Sequence, residues 1–185
     1  MIKHLLNIEY NTSEETVKQR FDLIAKQLFN QYEIIKGEKT YDFLEIEFYF
    51  YSNNHPDITT YKRNMQAGRW HTHLSGIDIS FESNTEYFGG ILIRSIIDNN
   101  RKVINGPLCT LFELFDNIDI KGSNENIPQL QKKDNHNNIQ IETTTRFNIN
   151  SGKYKDWEYR FYNASQDIKW KSSYSANPTH SKHPQ

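Results

Sequence analysis

The chain is short of the residues that would mark a disulfide scaffold, a membrane protein or a general nucleic-acid binder. One cysteine, Cys109, among 185 residues excludes an internal disulfide framework and a thiolate-rich metal centre. No apolar run is long enough to cross a bilayer, and Met1-Ile2-Lys3-His4-Leu5-Leu6 has no hydrophobic stretch of signal length, so the expectation is a cytoplasmic protein with no membrane partner. Charge of one sign is lacking as well. With 22 Lys and Arg against 23 Asp and Glu, binding to nucleic acid would need a local basic patch. The length suits one domain with a real core and is short for two. No internal repeat appears and helices do not alternate regularly with strands, which gives an α+β class with a mainly antiparallel sheet.

What the chain has in excess is aromatic rings: 11 Tyr, 11 Phe and 3 Trp. Five of them fall in Phe43-Leu44-Glu45-Ile46-Glu47-Phe48-Tyr49-Phe50-Tyr51, the most strongly patterned run. Strand alternation puts Leu44, Ile46, Phe48 and Phe50 on one apolar face, and Phe43, Glu45, Glu47, Tyr49 and Tyr51 on the other. Two carboxylates then share a face with three rings. That face is either a half-polar surface or the wall of a pocket that binds a flat ligand.

Other elements follow from periodicity. Val17, Phe21, Ile24 and Leu28 make one helical stripe over 13–29, with Thr12 and Glu15 at capping-box spacing. Tyr32 to Ile35, a turn at Lys36-Gly37-Glu38-Lys39 and the aromatic strand read as a hairpin. A loop over 52–67, with a short helix near Thr60 to Met65, leads to strands at 69–74 and around Ile77, Ile79 and Phe81. Gly89-Gly90 opens a strand through Ile97 with Arg94 in its middle, and Gly106-Pro107 starts a helix ending near Phe115. Residues 119–138 are polar and read as a mobile insertion. Strands at 139–149 and 157–162 come next, and a disordered tail is expected over 172–185, which leaves a domain over 1–171.

Three constellations carry possible chemistry. An arginine within a buried strand needs an anion, and a carboxylate among rings needs a cation, so Arg94 and Glu47 form either a structural ion pair or a centre that activates water. His71 and His73 share a strand face, and His55 and Asp57 lie nearby in sequence. The spacing is workable for a metal, but histidines of this kind more often form hydrogen bonds or touch substrate. Trp70 beside Arg69, and Trp157, Tyr159 and Phe161 around Arg160, suit base stacking and phosphate contacts, or equally an ordinary core, the better account of Phe161.

Taken in order, several segments resemble the alkyladenine (methylpurine) DNA glycosylases. Gly37-Glu38 and then Phe43-Leu44-Glu45-Ile46-Glu47-Phe48-Tyr49 look like that family's Glu-x-Glu-x-Tyr strand, and Ile24-Ala25-Lys26-Gln27-Leu28-Phe29 like the helix leading into it. Gly89-Gly90-Ile91-Leu92-Ile93-Arg94-Ser95-Ile96 is similar to the strand bearing its catalytic-site arginine. Gly106-Pro107-Leu108-Cys109-Thr110-Leu111 is similar to a Gly-Pro-initiated helix, and Arg146-Phe147-Asn148-Ile149 and Trp157 to Tyr162 to the last two strands. The resemblance runs over residues 17 to 170. It implies a compact mixed domain with a curved antiparallel sheet and base excision by flipping a damaged purine nucleotide out of duplex DNA, with no metal and no cofactor. Glu47 would activate the water, Arg94 would hold it, Tyr49 would stack on the base, and Glu45 would be a supporting or surface group. The facing strand departs from the family's pattern. Trp70-His71-Thr72-His73-Leu74-Ser75-Gly76 puts Thr72 at the stacking position and Ser75 at the wedge, and a serine cannot plug a duplex. His55 lies near the family's loop histidine. The expected activity is hydrolysis of an N-glycosidic bond in modified DNA or a smaller nucleotide-like substrate, contacted by Tyr49, His55, Trp70, His71, Thr72 and His73. The alternatives are a binding module without turnover and a metal-dependent enzyme using His55, His71 and His73.

Overall fold

A computed structural model describes residues 2–116 and 126–166. The expected tail over 172–185, and positions 119–125 of the expected insertion, lie outside the described residues.

After a 3-10 turn at Ile2–Leu6, helix α1 (Glu14–Gln31) starts one residue later than the capping-box spacing suggests. Its N-cap is Ser13, in extended conformation, whose hydroxyl accepts from the Thr16 N–H, and Glu14 and Glu15 complement the dipole of the first turn. The helix buries Val17, Phe21, Ile24, Ala25, Leu28 and Phe29. Strand β1 (Tyr32–Lys36) turns through Gly37, at φ +57°, into the long strand β2 (Lys39–Ser52). Phe21 stacks on Phe48 of β2 at 4.5 Å between ring centroids, which fixes the helix to the sheet. Full burial of such a side chain contributes about 1.5–3 kcal/mol.

Strict alternation fails at one place in β2, and that place builds the site. Strand β3 (His55–Pro56) pairs back on the end of β2, and β4 (Trp70–His73), β5 (Gly76–Ser80) and β6 (Phe88–Asp98) follow. In the β2–β6 ladder Phe43 pairs with Ile96, Glu45 with Ser95 and Ile46 with Ile93, so Leu44 and Arg94 are both left out of register. A bulge of this kind shifts the phase of the side chains. Phe43 therefore joins Ile46, Phe48 and Phe50 in the core, against the expectation that it shares the face of Glu45, while Leu44, also buried, falls outside the core cluster.

No helix forms over 60–65. Asp57 instead closes a turn, accepting from the Thr59 N–H and hydroxyl, and Met65 bridges to Ser83. Strand β7 (Val103–Asn105) returns along β6, and α2 (Pro107–Phe115) starts on proline after Gly106. The described part of the expected insertion contains β8 (Gln129–Lys132), which docks on the edge of β1 from Lys132 opposite Tyr32 to Gln129 opposite Ile35. Backbone pairing, blind to side-chain polarity, orders this segment.

The last two strands are shorter than their sequences suggest. β9 (Ile141–Thr144) stops because Arg146 turns into the interior, and β10 (Arg160–Asn163) begins only after the chain has crossed back. The described strands form one curled antiparallel sheet in the order β4-β5-β6-β2-β1-β8, with β10 joining β2 to β9. Together with two helices it makes a single α+β domain. No helix among the described residues is long and apolar enough to cross a membrane.

Candidate active-site cleft

Glu47 stands at the middle of the sheet, paired with Leu92 of β6 on one side and Arg160 of β10 on the other. The paired irregularities of β2 and β6 bring Glu45, Glu47, Arg94 and Ser95 together, and β10 adds Arg160. A cleft of ≈ 500 Å³ opens over them, closed at its other walls by the start of α2 from Gly106 to Cys109 and by the Phe147–Ile149 segment.

Both carboxylates are buried and multiply bonded. Glu47 Oε2 accepts from the Tyr49 hydroxyl at 2.8 Å and from Arg94 Nη1 at 3.3 Å, and its Oε1 accepts from the Phe147 N–H at 2.6 Å. Glu45 Oε1 accepts from Nε of Arg94 (2.9 Å) and of Arg160, and its Oε2 from the Ser95 hydroxyl at 3.0 Å. An ionised carboxylate has about four acceptor positions. Glu47 has three filled, and the fourth is on Oε1, which lies 4.0 Å from Arg160 Nε. Burial raises the Glu47 pKa above the ordinary carboxylate value, against the pull of Arg94, the Phe147 N–H and Tyr49. Tyr49 is pushed well up by burial and by the Glu47 charge, so its hydroxyl stays a donor. The Phe147 ring lies over the Arg94 guanidinium at 4.8 Å and near that of Arg160 at 5.9 Å. Asn148, at φ +58°, makes the turn that aims the Phe147 N–H; a left-handed residue here suits asparagine.

Of the side chains expected from the sequence, Glu47, Arg94 and Tyr49 meet in this cleft. The Arg146 guanidinium sits 4.6 Å from the Tyr49 ring, which lines the cleft. His55 is elsewhere, sealed in the core: its Nδ1 donates to the Phe50 carbonyl at 2.7 Å, so its Nε2 accepts from the Tyr159 hydroxyl at 2.9 Å. Burial lowers its pKa, keeping it neutral, and it contributes neither to a substrate contact nor to a ligand set with His71 and His73. Trp70 donates to the Pro128 carbonyl and packs edge-on against Phe115, away from the cleft, and Thr72 is exposed on β4. Trp157 packs on Tyr154 and Tyr159, and Phe161 is in the core.

His73 lines a side pocket of ≈ 90 Å³ that shares Tyr49, Ser75, Leu92 and Ile149 with the cleft. Its Nε2 bonds Asp78 Oδ1 at 2.9 Å, and His71 Nδ1 lies 4.0 Å from Oδ2, too far to bond. The three donor groups lie within 4.8 Å of one another. Two features oppose a cation among them. The Ser75 N–H donates to His73 Nδ1 at 3.2 Å, which leaves the ring proton on Nε2, where a metal would bind. Asp78 is also already neutralised by Arg63, 2.6 Å from Oδ2. Burial works against the Asp78 charge, but His71, His73 and Arg63 outweigh it and hold the carboxyl well below the usual range.

Sequence reasoning did not single out Phe147, Arg63 or Asp78. Phe147 was concealed because its working atom is a backbone N–H, and Asp78 because it reads as the polar face of an alternating strand. The signal for Phe147 was its neighbour Arg146, a charged residue at the end of a strand pattern. Compared with protein-family models, curated proteins and solved structures, the chain matches none.

Proposed function

We propose that the chain hydrolyses the N-glycosidic bond of a modified nucleotide, with Glu47 as the base that activates water. The observation that carries this reading is the state of Glu47: buried at the floor of a ligand-sized cleft, raised in pKa, and left with one unfilled acceptor position. Water held there loses a proton to Glu47 as its oxygen bonds the anomeric carbon. The carbon–nitrogen bond breaks, and its electron pair leaves with the base. Positive charge that develops on the sugar is stabilised by the fixed carboxylate, and Arg94 positions that carboxylate through Oε2. Tyr49 supplies a ring for the base to stack on.

The serine at the tip of the β4–β5 hairpin does not exclude a duplex substrate, because its neighbour Leu74 is 92% exposed at the same two-residue turn. An apolar side chain in that place is suited to fill the gap left by a flipped nucleotide.

Purified protein is expected to release free base from at least one member of a panel of modified nucleosides and modified single- and double-stranded DNA, and Glu47→Gln is expected to abolish release. No release across the panel would contradict the reading. A second reading, ligand binding without turnover, is favoured by one fact: the Glu47 side chain is 0% exposed, covered by the Phe147 segment. It predicts saturable binding that Glu47→Gln leaves unchanged.

A further inference from the structure

The side pocket beside the cleft is lined by Arg63, one of whose donors no described residue uses. Arg63 is buried to 1% side-chain exposure; its Nη2 donates to Asp78 at 2.6 Å and its Nε to the Tyr61 carbonyl at 3.3 Å. Its Nη1 is buried without a partner. This atom lies across Gly90 of β6, where the Cβ of any other residue would come within 2.4 Å of it. Gly90, Leu92 and Arg94 alternate along β6, so Arg63 lies over the same sheet face as Arg94, at a position on that strand, Gly90, about 13 Å from Arg94 at the ordinary strand rise. Tyr49 pairs with Gly90 and lines both the cleft and the pocket, so its ring stands between the two ends.

The polar neighbours decide what kind of group the donor takes. Tyr61 bonds Ser75 through its hydroxyl at 3.1 Å, and Thr59 donates its hydroxyl to Asp57. His73 accepts from Ser75 and donates to Asp78 as a neutral ring. The Arg63 and Asp78 charges cancel. An anion entering the pocket would lie beside Asp78 with no spare cation to balance it. An amino group would set N–H against N–H. A neutral oxygen acceptor satisfies Nη1 and leaves every other bond intact.

The geometry points to a recognition subsite in which Arg63 Nη1 donates to a carbonyl oxygen on the base of the ligand, with Gly90 admitting the guanidinium and Tyr49 stacking the ring that carries the carbonyl. This rests on the reading of the cleft as a nucleoside site. A site built around a buried donor rejects ligands that present a donor in return, because both groups are then desolvated without a partner.

Matched nucleosides test it: inosine against adenosine and uridine against cytidine, each pair exchanging a carbonyl for an amino group. Affinities are measured by calorimetry on the full chain carrying Glu47→Gln, so that turnover does not enter. The carbonyl member of at least one pair is expected to bind tenfold or more tightly than its amino partner. The ratio should fall toward one when Arg63→Met is combined with Asp78→Asn, a change that removes both charges and leaves no unpaired ion. Gly90→Ala, which crowds Nη1, should lower the same ratio, and circular dichroism reports whether each variant is folded. Equal binding within both pairs, preference for the amino members, absence of binding by all four, or a ratio unchanged in a folded double variant would overturn the proposal. Carbonyl preference without base release would leave the subsite standing and count against hydrolysis; base release without the preference would do the reverse.

Discussion

Two clusters of buried charge flank the central strand, and they are built from the same ingredients. In one, Arg146 meets Asp57 at 2.6 Å with side-chain exposures of 0% and 2%, adds the Phe48 and Tyr154 carbonyls as acceptors, and packs its guanidinium over Tyr49 and Tyr159. In the other, Glu45 and Glu47 meet Arg94 and Arg160, whose side chains keep 11% and 15% exposure at the wall of the cleft. The sealed cluster fixes a shape, even with Arg146 Nε buried and unbonded, whereas the open one lines the cleft and leaves one acceptor position on Glu47 unfilled. They are consecutive in the chain as well as close in space: Arg146 anchors the segment whose next N–H, that of Phe147, orients Glu47. Burial of an ion pair in the first place thus positions a carboxylate in the second.

If the division holds, the two clusters fail differently. Glu47→Gln is expected to abolish base release, a loss at least as large as the contribution of a positioned base, about 10²–10⁴-fold, with the circular dichroism spectrum unchanged. Arg146→Met would act on stability first, stranding a buried Asp57 charge at a cost of about 3–5 kcal/mol, read as a shift in the urea unfolding midpoint, and would lower base release only through the displaced Phe147 N–H. A large stability loss from the first variant, or none from the second, would break the comparison.

The pH dependence of stability sharpens it, because Glu47 in the open cluster and His55, bonded to Tyr159 of the sealed one, are shifted in opposite directions. Glu47 has its folded pKa raised by burial, so its contribution to stability is present at low pH and is lost as pH rises through the folded value. His55 has its folded pKa lowered by burial, so its contribution is present above the unfolded value of about 6.5 and is lost as pH falls through the folded one. Urea midpoints measured across pH should therefore show wild type minus Glu47→Gln declining toward high pH, and wild type minus His55→Gln declining toward low pH. The smallest effect is expected at the rim. Leu74→Ser should change stability by less than about 0.5 kcal/mol while weakening binding to duplex DNA severalfold in a fluorescence titration, leaving nucleoside binding unchanged.

Much of the frame was legible in the sequence because periodicity is a local property. The stripe of Val17, Phe21, Ile24 and Leu28 and the alternation of β2 carry their own partners, and Glu47 and Arg94 stand out as charges within apolar runs. The phase shift at Leu44 and Arg94 was not legible, since a bulge in one strand is matched to an irregularity in another 50 positions away. β8 was hidden for a related reason: Gln129–Lys132 is polar, and it becomes a strand only because β1 offers an open edge. The histidines show the limit from the other side. His55, His71 and His73 look alike as residue types, yet the ring bonds of His55 make it a core group and those of His73 make it a pocket wall.

The central claim is that Glu47 acts as the base, and the pH profile of single-turnover base release from a modified nucleotide tests it most directly. Wild type is predicted to lose rate on the acid side with an apparent pKa above the ordinary carboxylate range, and Glu47→Gln to show neither that limb nor the rate. A folded Glu47→Gln variant that releases base at the wild-type rate with the same acid limb would contradict the account.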